Sequence, residues 1–282
     1  MALPKSLISG AALAVLALPS AASAAFPGAN GALAFDRGGS ILAAPATTLD
    51  AGGTDFAPAI SPDGTQIAYS VSRDLWVMNA DGSNRHAVTT GRFSDSDPAW
   101  TPDGKHLVYS SLKGGGQEIW VIGVDGTGAK QLTNTPDHGE FTPAVSVDGR
   151  IAYTRTGCDT PYGGGQCVFV MGADGSNPTN LTPEDHISGC ESQAGYFFNG
   201  SSREPSWSPD GTRIAFTGPL VCGVSTIGSD IWVMGADGSG KTDLTKDDGT
   251  NDREPAWSPD GTLIAFMSDR GGASTRIFTT PP

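Results

Sequence analysis

Short apolar runs separated by turn residues recur along the chain, and one stretch returns almost unchanged. Residues 254–266 read Glu-Pro-Ala-Trp-Ser-Pro-Asp-Gly-Thr-Leu-Ile-Ala-Phe, and close copies begin at residues 58, 98, 143 and 205. In most copies a Pro-Asp-Gly turn separates two apolar runs. Proline presets the first central position of a type I turn, aspartate tolerates the second, and glycine supplies the positive φ that follows. The pattern therefore predicts a tight hairpin between antiparallel strands.

A second hairpin follows in each copy. A further apolar run occupies residues 75–78, 119–122 and 231–234, and an Asp-Gly turn leads from it to a weaker strand. Each unit therefore predicts four short antiparallel strands. Units of about 40 to 60 residues indicate a repeat architecture.

The six tryptophans all fall at repeat positions, in the first predicted strand or the third. Because these strands do not alternate polar and apolar residues, both of their faces must be covered. A propeller covers both faces of each blade with its neighbours. An open solenoid would need capping units with polar outer faces, and no such unit stands out. Counting a first unit near residue 26, we predict an all-β, six-bladed β-propeller of four-stranded antiparallel blades, whose last unit lacks an obvious outer strand.

The first 24 residues have the pattern of a secretory signal peptide. Lys5 precedes an apolar stretch at residues 7–18 that is too short to span a membrane. Ala22-Ser23-Ala24 resembles a small-residue cleavage site, so we expect cleavage near Ala24. The predicted domains are a signal peptide over 1–24 and a propeller over 25–282. We expect the mature protein to be secreted or periplasmic, with no transmembrane segment.

Charge limits the choice of partner. The formal net charge is −13 at pH 7, which argues against nucleic acid or an anionic membrane. A cationic ligand, a basic protein surface or a metal ion remain open, and the simplest interpretation is a soluble exported monomer.

Three insertions interrupt the repeat, at residues 156–166, 183–203 and 218–229. In an up-and-down blade all three lie on one face, and long loops on a rigid scaffold often bind ligands. Their aromatic residues have no place in the repeat, and aromatic side chains often anchor interfaces. We therefore predict ligand-binding roles for Tyr162, Tyr196, Phe197 and Phe198. The alternative is that these rings fold back over the blade ends.

All four cysteines lie in or beside these insertions, and an even number in an exported chain suggests disulfides. Four cysteines allow three pairings. We favour Cys158 with Cys167, at the two ends of one loop, and Cys190 with Cys222, in neighbouring loops.

Three carboxylates immediately precede the first-strand proline: Asp97, Glu204 and Glu254. Because the first strand of a propeller blade is innermost, they should surround one mouth of the central channel. Converging carboxylates bind hard cations, so we predict calcium there. Alternatively, they pair with Arg203 and Arg253 or stay solvated. Asp55 and Glu140 lie three residues before the same proline in their own units.

The run Pro-Ala-Trp-Ser-Pro-Asp-Gly-Thr-x-Ile-Ala-Phe, followed by Ile-Trp-Val-Met-x-Ala-Asp-Gly and Leu-Thr, resembles the TolB-type β-propeller repeat, a WD-repeat-like family. The resemblance covers nearly all of residues 25–282. It implies a six-bladed propeller and, by analogy with TolB itself, a periplasmic scaffold that binds a lipoprotein. TolB carries an additional N-terminal α/β domain, which we expect to be absent because Phe26 already matches a blade position.

Two classes of function follow from these observations. The first is a non-enzymatic scaffold that binds a protein, a peptide or an envelope glycan, and we favour it because no catalytic motif stands out. The second is an exported hydrolase or lyase acting on polysaccharide, which would need two carboxylates at an active distance. The four histidines, His86, His106, His138 and His186, show no metal-ligand spacing.

Overall fold

The computed structural model describes residues 34–36, 40–43, 47–49, 55–158, 165–183, 201–219, 228–246, 250–270 and 276–282. All regular elements in these ranges are β-strands, and each strand pairs antiparallel with the next one in its sheet. A three-stranded sheet comes first, with β1 (Ala34–Asp36), β2 (Ile41–Ala43) and β3 (Thr47–Thr48).

Four complete blades follow. Blade 1 contains β4 (Asp55–Ile60), β5 (Gln66–Val71), β6 (Asp74–Asn79) and β7 (His86–Ala87). Blade 2 contains β8 (Asp95–Trp100), β9 (His106–Ser111), β10 (Glu118–Gly123) and β11 (Lys130–Gln131). Blade 3 contains β12 (Glu140–Val145), β13 (Ile151–Cys158), β14 (Gly165–Met171) and β15 (Thr179–Asn180). Blade 4 contains β16 (Arg203–Trp207), β17 (Arg213–Pro219), β18 (Ser229–Gly235) and β19 (Thr242–Asp243).

Blade 5 has three strands: β20 (Asp252–Trp257), β21 (Ile264–Ser268) and β22 (Arg276–Thr280). The expectation of six four-stranded blades is therefore wrong. Five sheets begin with the inner strand of the repeat, and four of these five have four strands. The described part of the first sheet contains no inner strand. The stretch around Phe26, which the sequence pattern assigned to it, lies outside the described residues.

The hairpin turns have the chemistry that the sequence predicts. In blade 4, Oδ1 of Asp210 accepts hydrogen bonds from the Ser208 hydroxyl at 2.6 Å and from the Thr212 amide at 3.0 Å. Gly211 follows with a φ of 69°, in the left-handed region that glycine enters without strain. The Asp-Gly turn of the second hairpin repeats the arrangement, with Asp237 accepting from the amide and hydroxyl of Ser239.

The apolar core is divided among the junctions between neighbouring sheets. At three junctions, the tryptophan that ends an inner strand packs against small side chains of the preceding blade. Trp100 packs with Ala59 and Ala68, and Trp207 packs with Ala144 and Ala152. The third tryptophan, Trp257, packs with Ala215 in the same way.

Candidate functional site

The inner strands share a bulge that the sequence did not reveal. In each blade the pairing register shifts at the residue before the proline. That residue has a positive φ in all five blades: Ala57 (55°), Asp97 (55°), Thr142 (50°), Glu204 (57°) and Glu254 (55°). A positive φ is uncommon outside glycine. A bulge turns the side chain to a new direction and strengthens the local twist. Because successive inner strands lie side by side, these five residues form one set around the middle of the molecule.

Glu204 and Glu254, two of the three residues predicted to bind calcium, are in contact through the carboxylate of Glu204 and the backbone amide of Glu254. Oε2 of Glu204 accepts a hydrogen bond from the Glu254 amide at 3.1 Å and another from the Thr217 hydroxyl at 2.7 Å. Oε1 of Glu204 lies 3.1 Å from Nε of Arg203. Pairing with Arg203 was the alternative to metal binding, and for Glu204 this contact is present.

Asp97, the third carboxylate, is buried on blade 2 and accepts a hydrogen bond from the Ser96 hydroxyl at 2.9 Å. Burial raises the pKa of Asp97; the hydrogen bond from Ser96 opposes this rise, and the nearby charge of Glu204 adds to it. Among the residues that the structure describes, no three His, Cys, Asp or Glu side chains gather into a group that would hold a metal ion. Calcium binding by Asp97, Glu204 and Glu254 stays a prediction.

A second set of carboxyls lies at the blade junctions, and Glu118 and Glu140 are its best example. They begin β10 and β12, and their exposed fractions are only 3% and 0%. The Thr133 hydroxyl donates to Oε2 of Glu118 at 2.6 Å, and Nε of Arg155 donates to Oε1 of Glu140 at 2.7 Å. Burial raises the pKa of Glu140, and the hydrogen bond to Glu118 and the charge of Glu118 add to the rise.

The surroundings of this pair are closed to a substrate. The guanidinium of Arg155 stacks on Phe169, 4.3 Å from the ring centroid. Burial is also the main reason why the pKa of Tyr153 rises to about 12. With both carboxyls almost fully buried, the pair joins blades 2 and 3.

Other junctions carry related pairs. Asp74 of blade 1 faces Asp95 of blade 2, and burial first and the charge of Asp95 second raise the pKa of Asp74. In turn, Asp95 accepts a hydrogen bond from the Ser111 hydroxyl at 2.5 Å. At the corresponding positions of blades 4 and 5, Asp230 and Asp252 are both fully buried.

In blades 1 to 4, a threonine after the outer strand joins that strand to the third strand of its own blade. Its hydroxyl accepts a hydrogen bond from the backbone amide of the third strand, at distances between 2.8 and 3.0 Å. The four pairs are Thr89 with Leu75, Thr133 with Ile119, Thr182 with Val168 and Thr245 with Ile231. The signal for these contacts is present in the sequence: Leu-Thr or Val-Thr ends each of these units, and in blades 1, 2 and 4 an acidic residue precedes the third-strand run.

The predicted disulfide between Cys158 and Cys167 is present, and it joins the two strands at the base of one insertion. Cys190 and Cys222 lie outside the described residues, so their pairing stays a prediction. The same holds for the ligand-binding residues Tyr162, Tyr196, Phe197 and Phe198, and for His186.

The described histidines do not form a common site. His138 bonds through Nδ1 to the Thr156 carbonyl at 2.9 Å, and His86 makes a similar local contact to Asn84. His106 is exposed and lies 3.6 Å from Asp103. In the part of the chain that the structure describes, we find no helical segment with the length and hydropathy of a membrane span.

Comparison with known proteins identifies the repeat. The model of the TolB beta propeller domain matches residues 46–186 and 187–281. The chain belongs to the TolB beta propeller domain family. Atu1656, an uncharacterized protein of Agrobacterium fabrum, is 28% identical over 164 residues, which are 55% of this chain and 52% of that protein. The match to this TolB-type propeller thus spans about half the length of its relative.

Solved structures agree on the fold. The structure of a TolB candidate from Agrobacterium tumefaciens superposes with a TM-score of 0.61 at 18% identity, covering 92% of this chain and 90% of that chain. An oligogalacturonate lyase in complex with manganese gives a TM-score of 0.58 at 15% identity, covering 92% and 88%. At these identities the likeness extends to the fold alone. Both a TolB-type protein and an enzyme therefore share this TolB-type architecture.

Proposed function

We propose that this TolB-type propeller is an exported, non-enzymatic scaffold that binds a protein, a peptide or an envelope glycan. Its place of action would be the periplasm, the cell envelope or the extracellular space. The observation that carries the proposal is that the buried carboxyls of the propeller are already bonded to side chains of the propeller itself. The buried carboxyls at the junctions bond to threonines, serines and arginines of the same chain, so they act as structural contacts within the frame.

The three insertions support the same interpretation. They leave from the β13–β14 hairpin, from the connection between β15 and β16, and from the β17–β18 hairpin. All three therefore emerge from the same end of two adjacent blades. The disulfide between Cys158 and Cys167 fixes the base of the first. A rigid frame that presents long loops is the usual arrangement of a binding module.

The alternative, a polysaccharide hydrolase or lyase, needs accessible carboxylates at an active distance. The paired carboxyls that we describe, Glu118 with Glu140, are almost fully buried. No observation on the described residues favours this alternative, and the likeness to the lyase lies in the fold.

The test has two parts. First, cell fractionation and N-terminal sequencing should find the protein outside the cytosol with Ala25 as its first residue. Second, the tagged mature protein should capture a defined partner from envelope extract, and the partner should then bind as a purified component. Tyr196→Ala with Phe198→Ala should abolish capture without a change in Tm, and Leu263→Ala on the opposite face should not affect it.

A cytosolic, uncleaved protein would contradict the export part of the proposal. Depolymerisation of a polysaccharide by the purified mature protein would contradict the non-enzymatic part. A double variant that captures the partner normally would show that the aromatic loop residues are not the binding site.

A further inference from the structure

Of the four junctions between blades 1 to 5, the one between blades 2 and 3 lacks the tryptophan that fills the other three. Val145 ends β12, where Trp100, Trp207 and Trp257 end the inner strands of blades 2, 4 and 5. At two of those positions the indole also bonds to the preceding blade. Nε1 of Trp100 donates to the Ala59 carbonyl at 2.9 Å, and Nε1 of Trp207 donates to the Ala144 carbonyl at 3.2 Å. Valine supplies neither the ring nor the donor.

A cleft of about 350 Å³ lies at this junction. Its floor is apolar, with Val108, Val121, Val145 and Ile151. The two hairpin turns of blades 2 and 3 form its sides, through residues 101–103 and 147–149, and His106 lies at its edge. An enclosed apolar cavity of about 150 Å³ is already enough to bind benzene. This cleft is open to solvent, and Val108, Val145 and Ile151 in its floor are each 1% exposed, so a bound ring would lie over these side chains.

The turns beside the cleft are separated, whereas the equivalent turns touch at the other three junctions between blades 1 to 5. The distance from a Cβ placed on each turn glycine shows this. A Cβ on Gly104 would lie 3.9 Å from Pro62, one on Gly211 would lie 3.2 Å from Val147, and one on Gly261 would lie 3.7 Å from Pro209. Each of these contacts is to the turn of the preceding blade. At Gly149 the only atom within 4 Å belongs to Ala173 of its own blade. Among the junctions between blades 1 to 5 the gap is specific to this one; at Gly64, where blade 1 follows the first sheet, a Cβ would also meet nothing within 4 Å.

The exposure of Val121 and Val147 shows that the space is incompletely filled, although Val108 fills part of it. Val121 is partly exposed, whereas the equivalent Val77, Val170 and Val233 are buried. Val108 replaces an alanine of the other junctions and fills part of the missing volume. Val147 occupies the place of a turn proline and is 39% exposed.

The other junctions also show which side chain covers the tryptophan ring. The Arg150 guanidinium lies 4.6 Å from the Trp207 centroid, and that of Arg213 lies 4.7 Å from the Trp257 centroid. A cation over an indole face is a favourable contact. Here His106 holds the equivalent position, and the exposed carboxylates of Asp103 and Asp148 flank the opening.

We propose that this cleft binds an aromatic side chain of a partner protein, next to a lysine or arginine of that partner. The ring would take the place of the missing tryptophan, and the basic residue would face Asp103. The site lies on the face of the Asp-Gly turns, away from the long insertions, so it does not depend on the scaffold function proposed above.

The first experiment uses 5-fluoroindole as a probe, followed by fluorine NMR with the mature protein. The wild type should broaden and shift the probe signal. Val145→Trp should fill the cleft, abolish binding and raise Tm. If Val145→Trp does not fold, Val108→Ala with Val145→Trp restores the alanine of the other junctions and should give the same result. Leu112→Ala, an exposed apolar residue elsewhere, is the control and should bind as the wild type does.

The second experiment tests the basic residue with the peptides Lys-Trp-Lys and Glu-Trp-Glu. The wild type should prefer Lys-Trp-Lys. Asp103→Asn should weaken Lys-Trp-Lys binding by about twofold to fivefold, the effect of an exposed ion pair, and leave 5-fluoroindole binding unchanged.

Failure of the wild type to bind 5-fluoroindole, or equal binding by the filled variant, would overturn the site. Equal affinity for the two peptides would overturn the assignment of a basic neighbour.

Discussion

At the scale of single residues, Asp74 shows the effect of burying a carboxyl beside another one. Its pKa is raised because it is partly buried and because Asp95 is close. An acid whose pKa is higher in the folded state stabilises the fold fully below its unfolded pKa of about 3.9 and loses that contribution as pH rises through its folded pKa. The stability of the protein should therefore carry a penalty from Asp74 at neutral pH.

We predict that Asp74→Asn raises Tm at pH 7 and has almost no effect near pH 3, where the wild-type residue is protonated as well. Thermal unfolding followed by circular dichroism between pH 3 and pH 8 measures this difference. Asp81→Asn is the control of opposite sign. Hydrogen bonds from Ser83 hold the pKa of Asp81 below its usual value, so this variant should lower Tm at pH 7 and lose its effect as pH falls. A Tm difference for Asp74→Asn that is constant with pH would contradict the explanation.

The left-handed residues of the inner strands make a second prediction at this scale. Ala57 has a φ of 55° and Ala59 does not have a positive φ, although both are buried in β4. A left-handed alanine costs about 1–2 kcal/mol, which glycine avoids. Ala59→Gly should therefore lower the free energy of unfolding by about 1–2 kcal/mol more than Ala57→Gly does. Urea unfolding of the two variants measures the difference, and equal losses would show that the bulge carries no strain.

The sequence could not have predicted this bulge. The residue before a proline normally adopts an extended conformation, so the pattern at residues 57–58 and 97–98 indicated a regular strand. The left-handed geometry is imposed by the neighbouring inner strands, through contacts such as the Glu254 amide with Glu204. These are contacts between blades, and a single repeat unit contains no trace of them.

At the scale of the elements, the disulfide between Cys158 and Cys167 closes the β13–β14 hairpin with a sequence separation of 9. A cross-link over so short a loop stabilises mainly by restricting the unfolded chain, by about 2–3 kcal/mol. Cys158→Ser with Cys167→Ser should lower the free energy of unfolding by that amount, measured by urea unfolding. Non-reducing peptide mapping of the wild type should show the Cys158–Cys167 link. Peptides linking Cys158 to either of the other cysteines would contradict both this structure and the predicted Cys190–Cys222 pair.

Most strand positions could be predicted from the sequence, because the residues of each turn specify the turn locally. The Pro-Asp-Gly turns, with their serine or threonine partners, specify a hairpin locally, and the strands on either side of Asp210 lie where the pattern placed them. The first sheet did not follow in the same way. Residues 25–35 resemble the repeat, but the similarity rests on a few apolar residues, and the Pro-Asp-Gly turn is missing from this stretch. Counting that match as a four-stranded blade produced the wrong number.

At the scale of the whole molecule, the blades are held together in sequence, each by its neighbour. A tryptophan and a buried carboxyl recur at the junctions, and their absence or replacement acts locally. Trp207 and Val145 illustrate this, because one junction is filled and the next is open although the blades themselves are alike. The sequence shows that Val145 stands where other repeats have tryptophan. The cleft could not be predicted from that alone, because its position depends on which blade the missing ring would have touched.

The valine at the end of β12 has a consequence for how such a protein acquires new properties. Elsewhere a binding site is usually gained by adding a loop or by placing new polar groups. In a ring of near-identical copies, the loss of one large side chain is enough, because the remaining copies preserve the frame and define the shape of the space. Replacing the tryptophan at another junction would open a cleft of the same shape between a different pair of blades. Related propellers can therefore bind partners at different junctions while sharing one architecture.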